Sequence, residues 1–414
     1  MLTNRKIALL IILFIGLLVW RSPMLFTEPR FWGEEGRYYY EALQTSRWSV
    51  FTLVVRGNFQ LITNFGAAIA TLVPAAWAPA VTTYLGLLTT LLFIYFFCRF
   101  AVENHWSFYK SALIVLIFAL LAQGYEVYLS ADNAQWMCSV SLLFICLLGW
   151  DDLGVTGKYL LYLWIALCAL SGVPSAVLAP IFLIRGTKFR SPLHLRLGTV
   201  LAIGAVIQGM VIYLHPHPDR VFSPTPLLLT APWLLQTIAS PLITADGTDR
   251  LIDFLNQKQS IYAAVSAYVT LTLIATFAIF AGFREAKYRV AASVLVVAWI
   301  WVPTVQIFGM LGNPNALISG WIHGRYFFLG VICFVMLLGI AAHSDKMYPR
   351  QLATVILFVI ACAGVYQVHH GDWKNSMVSG PSWRNEISQC EGRRPCQVHA
   401  WPGGPDWAFM LYLR

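Results

Sequence analysis

Charge is what this chain has least of. Only 11% of its 414 residues are Asp, Glu, Lys or Arg, where soluble domains carry roughly 25%. With 58% hydrophobic residues, that scarcity excludes a soluble globular domain and predicts an all-α polytopic membrane protein. Other absences narrow the chemistry. There is no glycine-rich phosphate loop and no dinucleotide-binding fingerprint, so nothing calls for a nucleotide. No CxxC or His-rich spacing is present. His215 and His217, in HPHPD, are set in a stiff proline turn and lack a third ligand, so no metal is assigned. No cofactor is expected. A divalent cation held by two carboxylates stays open, because its remaining ligands are not identifiable. No internal repeat or low-complexity tract occurs. The chain also lacks the groove or aromatic-basic platform of a nucleic-acid binder.

Acids are the scarcer charge, 19 against 28 Lys and Arg, for a net charge of +9. On such a chain the excess is read as topology and as contact with anionic membrane lipids. Cys98, Cys138, Cys146, Cys168, Cys333 and Cys362 lie in apolar runs and behave as small hydrophobes. Only Cys390 and Cys396, either side of EGRRP, share a polar segment, and they are the candidate disulfide if that face is oxidising. The first apolar run, Ile7 to Trp20, has no small-residue cleavage site and is read as a retained anchor.

Arg5 and Lys6 before that run put the N-terminus inside. Further runs fall near 79–98, 111–129, 137–150, 159–170, 173–184, 197–214, 261–282, 290–308, 326–342 and 351–367. Alternating from a cytoplasmic start places five basic connections inside: Arg99 to Lys110, Asp151 to Lys158, Arg185 to Arg196, Arg284 to Arg289 and Lys346 to Arg350. Counting 58–77 as a span would put RGTKFRSPLHLR and REAKYR outside. The positive-inside rule therefore favours about eleven spans, with 58–77 a juxtamembrane or partly inserted helix. The expected location is the inner (plasma) membrane, N-terminus cytoplasmic and C-terminus periplasmic. RYYYEALQTSRW reads as a short helix on the interface. Leu227 to Ile243, broken by Pro232 and Pro241, reads as re-entrant. Residues 1–367 form the membrane domain, with outer loops 21–78 and 215–260, and 368–414 a small outer cap.

The outer face then carries the chemistry. FWGEEGRYYYEA, from Phe31, sets Glu34 and Glu35 on a turn after the first run, between glycines and among aromatics suited to an interface. GYEVYLSADNAQW adds the cavity candidates Glu126, Asp132, Asn133, Gln135 and Trp136. SGWIHGRYFF places His323, Arg325 and Tyr326 just before a span, where an arginine is suited to grip a phosphate with two hydrogen bonds; Arg37 is a second candidate of that kind. These groups fit one reaction. A lipid-linked sugar phosphate is held through Arg325, with His323, Tyr326 or Arg37, and Glu34 or Glu35 takes the proton of an attacking hydroxyl. A single displacement of this kind inverts the sugar configuration.

An N-terminal span followed at once by an outer loop with an acidic pair, then interfacial helices, resembles the integral-membrane glycosyltransferases of the C-type fold, which use polyprenyl-phosphate sugars. GEEG is similar to that family's acidic pair, and SGVPSAVLAP, from Ser171, and HGRYFF, from His323, look like segments of its bacterial members. The resemblance extends over the layout of the whole chain. It implies a hexosyl- or pentosyltransferase in which Glu34 or Glu35 is the base and Arg325 a phosphate ligand. The donor would be a polyprenyl-phosphate sugar and the acceptor a glycan, lipid or protein. The chain departs by having Glu-Glu where many members have an aspartate. Two rivals differ in class or detail. An O-antigen polymerase or ligase would work through the late outer loop bearing His217, Arg220 and Arg250. A flippase or transporter calls for ionisable groups inside the spans, where these runs offer mainly Gln208 and Gln306.

Overall fold

The computed structural model describes residues 4–150, 153–218, 226–258, 260–308, 317–318, 324–371, 382–390, 392, 395–401, 403 and 405–412. The chain is a helical bundle with two small β-hairpins. Six helices among the described residues are long and apolar enough to cross a membrane: Ala75–Glu103, Pro192–Leu214, Ile261–Phe283, Ala286–Ile307, Gly324–Ala342 and Met347–His370. Asn4–Arg21 and the shorter apolar helices Leu61–Ala70, Phe108–Leu120, Ala134–Leu147, Val155–Ala169 and Leu229–Ile243 complete the bundle.

Phe328–Ala342 is its centre. The sequence FLGVICFVMLLGIAA has no polar face to turn outward, so every side must be covered, and all fifteen residues are buried. Helices Phe108–Leu120, Ala134–Leu147, Ile261–Phe283, Arg289–Phe308 and Met347–His370 pack around it. Beside it Phe93, Phe97, Phe118 and Phe144 interlock with ring centroids 5.2 to 5.9 Å apart and join three helices. The rim has the opposite pattern. In Ile261–Phe283 only Ala275, Ala278, Ala281 and Gly282 are buried, while Val265, Val269, Leu273 and Phe280 face out. Small residues inward and large apolar ones outward suit a lipid surround and would be costly in water.

Hydrogen bonds gather the basic connections at one end. Glu103 accepts from Gly149 N–H, Arg185 donates to the carbonyls of Leu147 and Leu148, and Lys110 donates to that of Ala342. Trp106 Nε1 donates to Tyr288 Oη at 3.1 Å, and Ser344 Oγ to Glu285 at 2.6 Å. The acidic loop lies at the far end of the same helices: Ala78–Glu103 begins beside it and finishes at the basic end, about 39 Å away at 1.5 Å per residue over its 26 residues.

Four local readings of the sequence are revised. The run 111–129 stays helical only to Leu120, because Arg21 takes the carbonyls of Ala119 (2.6 Å) and Leu121 (3.0 Å) and the chain turns away. Residues 58–77 are not one helix. Strands β1 (Val54–Val55) and β2 (Asn58–Phe59) form a hairpin, and the helix Leu61–Ala70 follows, with Asn64 donating to Val50 and Leu53 carbonyls. RYYYEALQTSRW is not one uniform α-helix, and Tyr39, Tyr40 and Leu43 within it are buried. Its first part, Glu35–Tyr40, is a π-helical turn closed by Glu41 N–H on Gly36 O. Leu227 to Ile243 is not broken at Pro232. The helix Pro226–Leu234 passes through that proline and continues as a π turn over Leu235–Ala239, closed by Ser240 N–H on Leu235 O just ahead of Pro241, whose missing N–H and ring disfavour an α-helical turn there.

The C-terminal segment folds as a cap on the acidic loop. Cys390 and Cys396 are disulfide-bonded with Cα atoms 5.5 Å apart. Strands β3 (Cys396–His399) and β4 (Ala408–Leu411) pair antiparallel. Trp401 N–H donates to Phe31 O at 2.9 Å, and its ring lies 4.5 Å from that of Trp32. Gly33 and Gly36 make the seat: a Cβ on Gly33 would stand 2.4 Å from the Trp407 ring, and one on Gly36 2.7 Å from that of Phe409.

Candidate functional site

The two neighbouring glutamates do different things, because adjacent residues on a helical turn point roughly 100° apart. Glu35 points inward and is 1% exposed. Its Oε2 accepts from Trp32 N–H (3.2 Å) and Thr82 Oγ1 (3.0 Å), and its Oε1 from Ser130 Oγ (3.0 Å) and Asp132 N–H (3.0 Å). Burial raises its pKa and those four donors oppose the rise. The carboxylate thus ties together the first outer loop, the helix Ala78–Glu103 and the turn at 130–132. The third tie requires Gly86, where a Cβ would meet Ser130 N at 2.4 Å.

Glu34 points the other way, into a cluster of charges. Arg56 Nη1 lies 2.9 Å from its Oε1, and Arg325 Nη1 4.0 Å from its Oε2. The same Arg325 nitrogen is 3.5 Å from Glu126 Oε2, whose other oxygen accepts from Tyr125 Oη at 2.8 Å. Asp132 closes the cluster. It is buried and hydrogen-bonded through its side chain to Glu34, and burial together with the Glu34 charge raises its pKa well above the carboxylate range, against the pull of Arg325. Two carboxyls that touch in a dry site disfavour a second charge, and the pair titrates as a unit.

Each cation is aimed by local backbone. Arg56 and Gly57 occupy the two-residue loop between β1 and β2 with φ of 49° and 71°, the pair of positive values a tight hairpin of this length requires. Arg325 sits in the turn Gly324–Phe327 that opens the buried central helix. Its guanidinium also lies over the Tyr326 ring, which meets Trp136 edge-on at 5.2 Å. Trp136 Nε1 and the Tyr39 hydroxyl are buried and make no hydrogen bond among the described residues. The nearby Asp132 and Glu34 carboxyls reinforce burial in holding the Tyr39 proton on.

Other candidates from the sequence fall outside the cluster. Arg37 donates to the Asp406 carbonyl in the cap, away from the carboxyls. Asn133 braces its own loop by donating to Glu126 O at 2.8 Å. Gln135 packs on the Gly172 turn, and Ser171 of the same turn accepts from Ile62 N–H. Gln208 donates to Phe59 O at 2.9 Å. His323 and Arg220 lie outside the described residues. Arg250 faces a groove beside Phe358 and His370. No group of three or more His, Cys, Asp or Glu among the described residues is placed to hold a metal.

The sequence reading missed Arg56 and Tyr39. The signal for Arg56 was present: VVRGNF is a two-residue loop between strand-formers. Tyr39 is one of three consecutive tyrosines, and nothing local distinguishes it from its neighbours.

These features define a helical membrane protein with a buried, charge-compensated polar centre at one end. Comparison of the chain with protein-family models, with curated proteins and with solved structures finds no match.

Proposed function

We propose that this protein is an inverting glycosyltransferase of about eleven spans in the inner membrane, moving a sugar from a polyprenyl-phosphate carrier to a hydroxyl acceptor on the non-cytoplasmic face. The observation that carries the reading is the convergence of Glu34, Asp132 and Glu126 on Arg325, at the end of the bundle opposite the basic connections. Arg325 stands between two carboxylates at ion-pair limits, 4.0 and 3.5 Å, and an incoming phosphate can take their place as the partner of its guanidinium. In the reaction the acceptor oxygen attacks the anomeric carbon and the bond from that carbon to the phosphate oxygen breaks. The bonding electrons leave with the phosphate, against the Arg325 guanidinium, and the hydroxyl proton passes to the Glu34 carboxylate.

Glu34 is the proposed base because one of its oxygens looks toward Arg325, while burial and the Glu34 charge favour the protonated form of Asp132 and Glu35 has both oxygens occupied. Arg56 holds Glu34 in place. Mass spectrometry of cell-surface glycans with and without the gene tests the reading. A lost sugar residue, restored by the wild-type gene and not by Glu34→Gln, is the expected outcome; an unchanged glycan profile overturns it.

A further inference from the structure

The outside of the bundle, away from the charge cluster, carries two grooves. Two cavities flank the outer half of the helix Met347–His370. One, of about 510 Å³, lies between this helix and the segment Leu242–Arg250; the other, of about 460 Å³, lies between it and Leu113 and Leu116. Both sizes fall in the range of small-molecule sites. They share Phe358, Cys362, Tyr366 and His370. Those positions recur every fourth residue, so they form one ridge along the helix with a channel on either side.

The ridge is graded in polarity. Phe358 and Cys362 lie deep, with Leu242, Ile243 and Val359 near them in the first channel. Tyr366, His369 and His370 lie toward the C-terminal end of the helix, and Thr244, Asp246 and Arg250 add polar lining to the first channel. From Phe358 to His370 the helix rises about 18 Å at 1.5 Å per residue. A bilayer's hydrocarbon core is about 30 Å thick, so the channels reach the depth of one leaflet. The polar end is fixed to the bundle, since Gln367 Oε1 accepts from Ala245 N–H at 2.8 Å.

We propose that this face holds one glycerophospholipid, with an acyl chain in each channel and the phosphodiester against Arg250. Two channels meeting at one polar end match a ligand with two chains and one headgroup, whereas a prenyl carrier has a single chain. Arg250 supplies the positive charge a phosphodiester needs. Asp246 at the same end opposes a second negative charge, so a phosphodiester fits better than a phosphomonoester. The site stands independently of the sugar-transfer reading, because none of these residues touches the Glu34 cluster.

The test uses the full-length protein extracted in a mild detergent. Phosphorus is assayed after gel filtration, and the bound lipid is identified by native mass spectrometry. The wild type is expected to retain one diacyl phospholipid per chain. Arg250→Ala should weaken retention roughly tenfold or more, the loss expected of one charge-assisted contact. Cys362→Trp should displace the lipid by filling the ridge side of the channels, while Cys362→Ser retains it. Monodisperse elution and wild-type melting establish that each variant is folded, and Arg250→Gln replaces any variant that is not. Equal phospholipid in wild type, Arg250→Ala and Cys362→Trp overturns the proposal. So does a retained ligand with a single prenyl chain.

Discussion

Replacing Glu35 by Gln should damage the fold more than the chemistry, and the size of the damage follows from its four donors. Glu35 accepts two hydrogen bonds on each oxygen, one from a backbone N–H and one from a hydroxyl on each side. An amide offers only one acceptor oxygen. Whichever way it is placed, its NH₂ meets one hydroxyl, which can rotate to accept, and one backbone N–H, which cannot. That buried N–H, of Trp32 or Asp132, loses its partner at a cost of about 1–3 kcal/mol, and weakening of the charge-assisted bonds brings the total to about 2–4 kcal/mol. Glu34→Gln differs: the amide oxygen still accepts from Arg56, so stability changes little, but the group can no longer take a proton and kcat should fall about 10²–10⁴-fold. Thermal unfolding in detergent micelles, beside transfer assays with a lipid-linked donor, separates the two. A Glu35→Gln protein that melts like wild type yet transfers no sugar would refute the division of labour, as would a Glu34→Gln protein with full kcat.

Three further outcomes are expected. Asp132→Asn should be well tolerated, because the amide still donates to Glu34 as the protonated acid does. Asp132 has a folded pKa above its unfolded one, so between the two the folded state binds more protons and its stability falls as pH rises through that window. Melting temperatures measured against pH should lose this part of the slope in the variant; an unchanged slope would mean that Asp132 is ionised at rest. Tyr39→Phe should leave stability unchanged or raise it by about 1 kcal/mol, since a buried hydroxyl without a partner is removed, while transfer slows if that hydroxyl meets the substrate; full activity would make Tyr39 a packing residue. Arg325→Ala should raise KM for the donor lipid by about 10-fold or more and leave that for the acceptor nearly unchanged, and equal effects on both would assign the arginine to the fold.

Much of the helical layout was legible in the sequence because an apolar segment leaves the backbone no partner but itself in lipid. The disulfide was legible for a similar reason: Cys390 and Cys396 are the two cysteines placed together outside apolar runs, and they are bonded. What could not be read was mostly long-range. GEEG announces two equivalent acids, yet which of them faces Arg325 is decided by Thr82, Ser130 and Asp132, distant in sequence. The helix end at Leu120 depends on Arg21, some hundred residues upstream. Arg37 and Arg325 look alike as local candidates, and only the position of the cap separates them.

The seat of the acidic loop has a consequence for how the protein matures. Phe31 and Trp32 are made long before the aromatic residues that cover them, Trp401, Trp407 and Phe409. Closing so long a loop comes late in folding, since its entropy is repaid only by contacts at the far end. A nascent chain with every helix already inserted would still hold Glu34 on a loosely seated turn. The seat of Glu34 therefore closes in one step, when β3 and β4 cross to that side and are clasped by their sulfur bond.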